Sequence, residues 1–254
     1  MRARIVAAAH GPAWLLEGWN LFRAAPLAWL ALLLAYWLLM TLISLAPVVG
    51  VAVASILVPA FSVGFMAAAR AASSRGGVEL SLLFDGFRHA QRAQLLLGVV
   101  YLVCLALVLG GGALADDGAL ARWMLTGRRP ANEVLQSEEF LVALVCCAAL
   151  YTPVMMMFWF APPLAAWHSA SPVKALFYSF LACLINWRAF LAYGAAVALI
   201  TLVVPFVAVV TLRTLLAGVS FAWLAFPLLG VLLPTLFASF YASYRDVFAT
   251  PEPE

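Results

Sequence analysis

From residue 24 to residue 69 the chain carries no Asp, Glu, Lys, Arg or His, and four further windows, 93–115, 140–167, 189–212 and 214–244, are equally free of charge. Each Arg, Lys or Asp near a bilayer centre costs roughly 2.5–3.5 kcal/mol even on the lenient insertion scale, so such windows are the strongest constraint a sequence can impose. Composition agrees. The chain is 67% hydrophobic and 10% charged, against about 45–50% and 25% in a soluble globule. A net charge of +3, spread along 254 residues, is too slight for a nucleic-acid-binding face, which needs a concentrated basic patch.

A spanning helix needs about 20 residues. Four windows therefore predict one crossing each, and the first predicts two, folded back near Pro47 and Gly50. The expected fold class is an all-α polytopic membrane protein with six transmembrane helices. The basic residues set an orientation. With the amino terminus inside, Arg2, Arg4, Arg23, Arg70, Arg75, Arg88, Arg92, Lys174, Arg188 and Arg245 face the cytoplasm, and only Arg122, Arg128, Arg129 and Arg213 lie outside. Both termini are then cytoplasmic. The apolar run after Arg4 is shorter than the core of a cleaved signal peptide, so the first span is expected to act as an uncleaved anchor.

Before each odd-numbered span lies a shorter segment reading apolar, apolar, polar, small, aromatic: Leu15-Leu16-Glu17-Gly18-Trp19, Leu83-Phe84-Asp85-Gly86-Phe87 and Leu176-Phe177-Tyr178-Ser179-Phe180. In the second, Leu80, Leu83, Phe84 and Phe87 fall on one helical face and Ser81, Asp85, Arg88, His89 and Arg92 on the other, the pattern of a helix lying flat in the headgroup layer. Gly11-Pro12 and Ser171-Pro172 open the first and third. The even spans end alike, in Ala69-Arg70, Trp167-His168 and Tyr244-Arg245. Residues 1–254 are thus expected to form a single membrane domain of three pseudo-repeats, each an interfacial amphipathic helix plus a membrane hairpin. Their bounds are 11–72, 80–168 with an outer loop at 116–139, and 171–248.

Gly18-Trp19 with Leu21-Phe22-Arg23, Pro26 and Trp29-Leu30, then Leu83 to Phe87, Phe160-Ala161-Pro162-Pro163-Leu164, and the closing Tyr241 to Phe248, resemble a family of uncharacterised proteobacterial inner-membrane proteins. That family is itself similar to YciC-like proteins and to the membrane domain of certain glycerophosphodiester phosphodiesterases. The resemblance covers nearly the whole chain. It implies six spans in a bacterial inner membrane and supplies no reaction.

Asp117-Gly118-Ala119-Leu120-Ala121-Arg122 matches the opening of the CDP-alcohol phosphatidyltransferase signature. The further aspartates that would share metal ions are missing, and an Asp-Gly turn followed by a short helix is the simpler reading. Met155-Met156-Met157, the Cys146-Cys147 pair and His168 could suggest a soft metal, but consecutive methionines fan out by about 100° around a helix, which suits packing better. Cys104, Cys146, Cys147 and Cys183 all fall in apolar text, as reduced packing thiols do. No catalytic residue, metal site or cofactor is expected.

A carrier normally needs an ionisable group within the membrane. Here only hydroxyls such as Tyr36, Thr41, Tyr151, Thr152 and Tyr193 could line a path, and their simpler role is helix packing. Ala60, Gly64 and Ala68, spaced by four, are expected to seat a neighbouring helix. Trp14, Trp19, Trp29, Trp167 and Trp187 are expected at the inner interface. Arg23, Arg70, Arg88, Arg92, His168, Lys174, Arg188 and Arg245 form an inner collar offering contacts to lipid headgroups or to other inner-membrane proteins. The expected role is a non-enzymatic scaffold, lipid-interacting or envelope-assembly factor, with membrane lipids as partners and no nucleic acid. The alternative is a permease for a neutral or amphipathic solute.

Overall fold

The computed structural model describes residues 3–46, 48–74, 76–215 and 221–248, with side chains described throughout except at 204, 205, 208, 209, 212–215 and 221–227. Arg2, Pro47 and Arg75 lie outside the described residues, as does the side chain of Arg213. Regular structure among the described residues is helical. The elements are α1 (His10–Ala24), α2 (Pro26–Ser44), α3 (Val49–Ser73), a 3-10 turn (Leu80–Phe84), α4 (Asp85–His89), α5 (Gln91–Asp116), α6 (Ala119–Thr126), α7 (Asn132–Leu135), α8 (Glu138–Trp167), α9 (Pro172–Ile185), α10 (Trp187–Leu215) and α11 (Phe221–Phe248).

Four of the described helices are long and apolar enough to cross a membrane: α2, α3, α5 and α8, with mean hydropathies of 2.1, 2.1, 2.5 and 2.2. A fifth arises only if α9 and Trp187–Val203 count as one span broken by an 80° bend. Among the described residues the expected six spans are therefore corrected to four, or at most five. The reason is that the last two windows do not each supply a separate described span. The window at 189–212 starts just past a sharp bend at Asn186, whose side-chain amide donates to Ala182 O at 2.9 Å in the preceding helix, and its helix qualifies only together with α9. The window at 214–244 lies partly outside the described residues, at 216–220, and ends in a stretch where Thr235, Ser239, Tyr241 and Ser243 are buried within the protein. The first window does hold two helices, α2 and α3, with the reversal between Ser44 and Val49.

The segment expected as one flat helix over residues 80–92 is broken: a 3-10 turn runs into the five-residue α4, and α5 starts afresh at Gln91. α9 begins at Pro172 as expected, where the missing N–H has no helical acceptor to lose.

The chain separates into two compact units, one comprising residues 1–35, 64–83 and 182–254, the other residues 36–63 and 84–181. In the first, α1 packs on α10 and α11 through Gly11, Trp14, Leu15, Gly18, Leu21 and Phe22, one face of a 3.6-residue helix. Gly18 is what lets the backbones meet. A Cβ there would stand 2.8 Å from Ser239 N, so only glycine fits. Phe65 stacks on Phe237 at 4.1 Å between ring centres.

In the second unit α5 and α8 pack along their lengths, with the Tyr101 and Tyr151 hydroxyls 3.0 Å apart. Gly86 of α4 rests on the Ala60 backbone of α3, where a Cβ would come within 2.9 Å of Ala60 Cα. Ser179 of α9 occupies the place that the aligned segments give to glycine, and it is buried. Its hydroxyl accepts from Phe160 N–H at 2.9 Å and donates to Met156 O at 2.7 Å, entering the hydrogen-bond ladder of α8 between donor and acceptor. Two residues later Pro162 and Pro163 remove two further donors. Gln94 of α5, fully buried, donates to Pro162 O at 2.8 Å.

Residues 116–139 form a small packed cap. Asp116 accepts from Gly118 N–H at 2.9 Å and Leu120 N–H at 2.7 Å, closing the turn through Asp117 and Gly118, both at positive φ. Leu120 then packs on Phe140 and Ala143 of α8. Ser137 caps α8 by accepting from Phe140 N–H at 3.2 Å, and Glu138 and Glu139 complement the positive end of the helix dipole.

Gly86→Val should lower stability by about 1–3 kcal/mol, the usual cost of overpacking, read as a fall in Tm of the detergent-solubilised protein. Gly77→Val, where a Cβ meets no atom within 4 Å, should leave Tm unchanged.

Candidate functional site

All eight collar residues are exposed. Arg23, Arg70, Arg188 and Arg245 belong to the first unit, and Arg88, Arg92, His168 and Lys174 to the second. They differ in how far the protein has already used them. Arg245 is ion-paired to Glu17 of α1. Arg188 lies over the Trp187 ring at 5.4 Å, a cation–π contact. Partial burial holds His168 below the usual imidazole value, which favours its neutral form. Arg23, Arg88, Arg92 and Lys174 make no hydrogen bond or ion pair among the described residues, so their charge is available to an external anion.

The densest polar cluster of the first unit centres on Asp246, a residue that sequence reasoning did not single out. Its side chain is only 15% exposed. Oδ2 receives the indole N–H of Trp14 at 2.8 Å and lies 2.6 Å from His10 Nδ1. Oδ1 is paired with the guanidinium of Arg4, which also donates to Asp246 O. The Arg4 backbone N–H donates to Val247 O at 3.0 Å. Asn186, 1% exposed at the bend between α9 and α10, completes the join: its amide donates to Arg4 O at 3.0 Å and its Oδ1 accepts from Val6 N–H at 2.8 Å. The first residues of the chain are thereby tied both to the last turn of α11 and to a bend in mid-chain. Spacing alone could not reveal a contact between residues 4 and 246. The available signal was a lone acid, Asp246, directly after the basic residue that closes a helix.

Burial by itself would push the Asp246 carboxyl up. Hydrogen bonds from Trp14, Arg4 and His10, together with the charge of His10, outweigh it and hold the carboxyl below its ordinary value of 3.8. A carboxylate this well supplied with donors acts as a fastener. The smaller Asp85–His89 pair of α4, 3.1 Å apart, likewise places a histidine on a carboxylate. His10 and His89 thus each serve a carboxylate within their own unit.

Two expected interfacial tryptophans are core residues instead. Trp29 is 0% exposed and donates to Leu21 O at 3.1 Å, and Trp14 is 2% exposed on Asp246. Indole N–H groups that find a carbonyl or carboxylate can be buried whole. Ala60 and Ala68 are fully buried on α3, as expected for residues that seat a neighbour. Of the hydroxyls considered for a solute path, Tyr151 meets Tyr101, Tyr193 meets Ser239 at 2.7 Å, and Thr152 donates to Ala148 O in its own helix. All four cysteines are free thiols, and among the described residues no group of three or more His, Cys, Asp or Glu could hold a metal. In the Asp117–Arg122 fragment, Arg122 donates to Asp117 O at 2.8 Å.

A protein of Burkholderia thailandensis described as a probable inner membrane protein is 40% identical over 254 residues, covering 98% of this chain and 94% of its own length. No protein-family model matches the chain, and no solved structure does.

Asp246→Asn should reduce stability by about 1–3 kcal/mol, the scale for orphaning buried donors. Because the folded carboxyl titrates below its unfolded value, its stabilisation is complete above about pH 4 and is lost as pH falls through the lower folded value. The Tm difference between the native protein and Asp246→Asn should therefore shrink as the pH falls below about 4.

Proposed function

Because the chain belongs to the same family of bacterial inner-membrane proteins as the Burkholderia thailandensis protein, we propose that it is a non-enzymatic scaffold of the cytoplasmic leaflet that gathers anionic lipids and, through them, other inner-membrane proteins. It is a multi-pass protein of that membrane. The observation that carries the reading is the set of cations with no hydrogen bond or ion pair among the described residues, Arg23, Arg88, Arg92 and Lys174, at or within a few residues of the short amphipathic segments. Basic residues held at a membrane surface attract anionic headgroups with about 1 kcal/mol each.

Three further features support it. The segments around Gly18, Gly86 and Ser179 are each fixed to a long helix by backbone contact or by a side chain in the ladder, which suits rigid presentation of charge. The carboxylates of Asp246 and Asp116 are committed to hydrogen bonds, which weighs against acid–base chemistry there. The contact of Arg4 with Val247 favours both termini on one face. That arrangement calls for an even number of crossings, which four satisfies, and the positive-inside rule makes the face cytoplasmic. The relative supports an inner-membrane family and nothing narrower; the likeness to YciC-like proteins and to the phosphodiesterase membrane domain rests on short motifs alone.

Reporter fusions at each end should place both termini in the cytoplasm, and opposite compartments would overturn the topology. Replacing Arg88 and Arg92 by Gln should weaken the preference for anionic over zwitterionic phospholipid in nanodiscs about fivefold per residue, the equivalent of about 1 kcal/mol each. Saturable solute flux in proteoliposomes would replace the scaffold by a permease.

A further inference from the structure

The first unit holds an apolar crevice of about 420 Å³ between α1, α10 and α11. Pro12, Leu16 and Trp19 form one wall, Ala196 and Ile200 the second, and Leu232 with Thr235 the third. Among the described lining residues, Thr235 is the only one with a side-chain polar group besides the Trp19 indole, and its hydroxyl is already spent on Val231 O at 2.7 Å within its own helix. A polar solute would find nothing to bond along these walls. A hydrocarbon chain would lose nothing by entering.

The crevice is open at its rim, where Leu16 is 66% and Trp19 41% exposed. Along α1, Pro12, Leu16, Trp19 and Arg23 follow one another at intervals of four, three and four, which keeps them on one stripe of the helix surface. Arg23 stands about 6 Å beyond Trp19 along the axis, is exposed, and has no hydrogen bond or ion pair among the described residues. A greasy slot thus continues into an unneutralised cation.

We propose that this crevice is a lipid site that takes one acyl chain of an anionic phospholipid, with Arg23 on its phosphate. The proposal rests on the reading of the protein as a holder of anionic lipid, and it adds a single, stoichiometric site to the diffuse collar. Chain occupancy comes from the slot and headgroup choice from Arg23, so the two contributions are separable by substitution.

The test is native mass spectrometry of the full-length protein released from nanodiscs of phosphatidylglycerol and phosphatidylcholine with matched chains. One retained phosphatidylglycerol per protein is expected, in at least fivefold excess over phosphatidylcholine. Ala196→Phe, which fills the slot, should reduce retention at least tenfold. Leu16→Trp, at the exposed rim where folding is not at stake, should do the same if Ala196→Phe fails to fold. Arg23→Gln should keep the lipid but abolish the preference for phosphatidylglycerol.

Undiminished retention in Leu16→Trp overturns the proposal. So does displacement of the phospholipid by equimolar palmitate, which would make a free fatty acid the occupant, or the appearance of a dimer lost in Leu16→Trp, which would make it a second copy of the chain. Arg88→Gln with Arg92→Gln, outside the crevice, should leave the single lipid in place. If that double variant alters bulk lipid preference while crevice variants change nothing, the crevice fails and the collar stands. The reverse pattern sinks the collar and leaves the crevice.

Discussion

In a bilayer an apolar helix gains nothing by exchanging lipid for another apolar helix, so this chain is held together by close backbone approach and by hydrogen bonds that have no rival solvent. Gly18 and Gly86 permit the first, each at a point where one added carbon would collide with main chain. Ser179, Gln94, and the pairs Tyr101–Tyr151 and Tyr193–Ser239 supply the second. Many leucines and valines face outward: Leu107 and Leu114 of α5 are 70% and 90% exposed. The usual inside-out accounting of a soluble core does not apply.

That constraint explains which parts of the fold could be read from residues. The aligned small residues Gly18, Gly86 and Ser179 are legible because a close approach tolerates few side chains, and Pro172 because proline has one preferred place in a helix. The span count was less legible. The window at 189–212 looks like a span of its own, yet its helix qualifies only together with α9 across a bend of 80°, where the buried side-chain amide of Asn186 bonds back to Ala182 O. Similarly, serine and threonine in α11 read as tolerable membrane residues, whereas Ser239 and Ser243 are 0% exposed inside the protein.

The collar was legible as residue types but not as availability. From sequence alone Arg245 and Arg23 look equivalent; in space one is neutralised by Glu17 and the other has no hydrogen bond or ion pair among the described residues. Trp14 and Trp29 misled for a related reason, since an indole serves an interface and a core equally well and its partner decides which. Asp246 escaped notice because its partners Arg4, His10 and Trp14 are more than 230 positions away. Long-range pairing of this kind leaves no periodic trace.

The bond from Arg4 to Val247 also orders events in time. A chain emerging from the ribosome exposes Arg4, His10 and Trp14 more than 230 residues before Asp246, so α1 must wait for α11 to be made before this seat exists. The unit built from residues 36–63 and 84–181 has all its parts earlier. Between those two moments the half-made protein holds one unit with every part present and a helix, α1, whose polar fastening is still unmade.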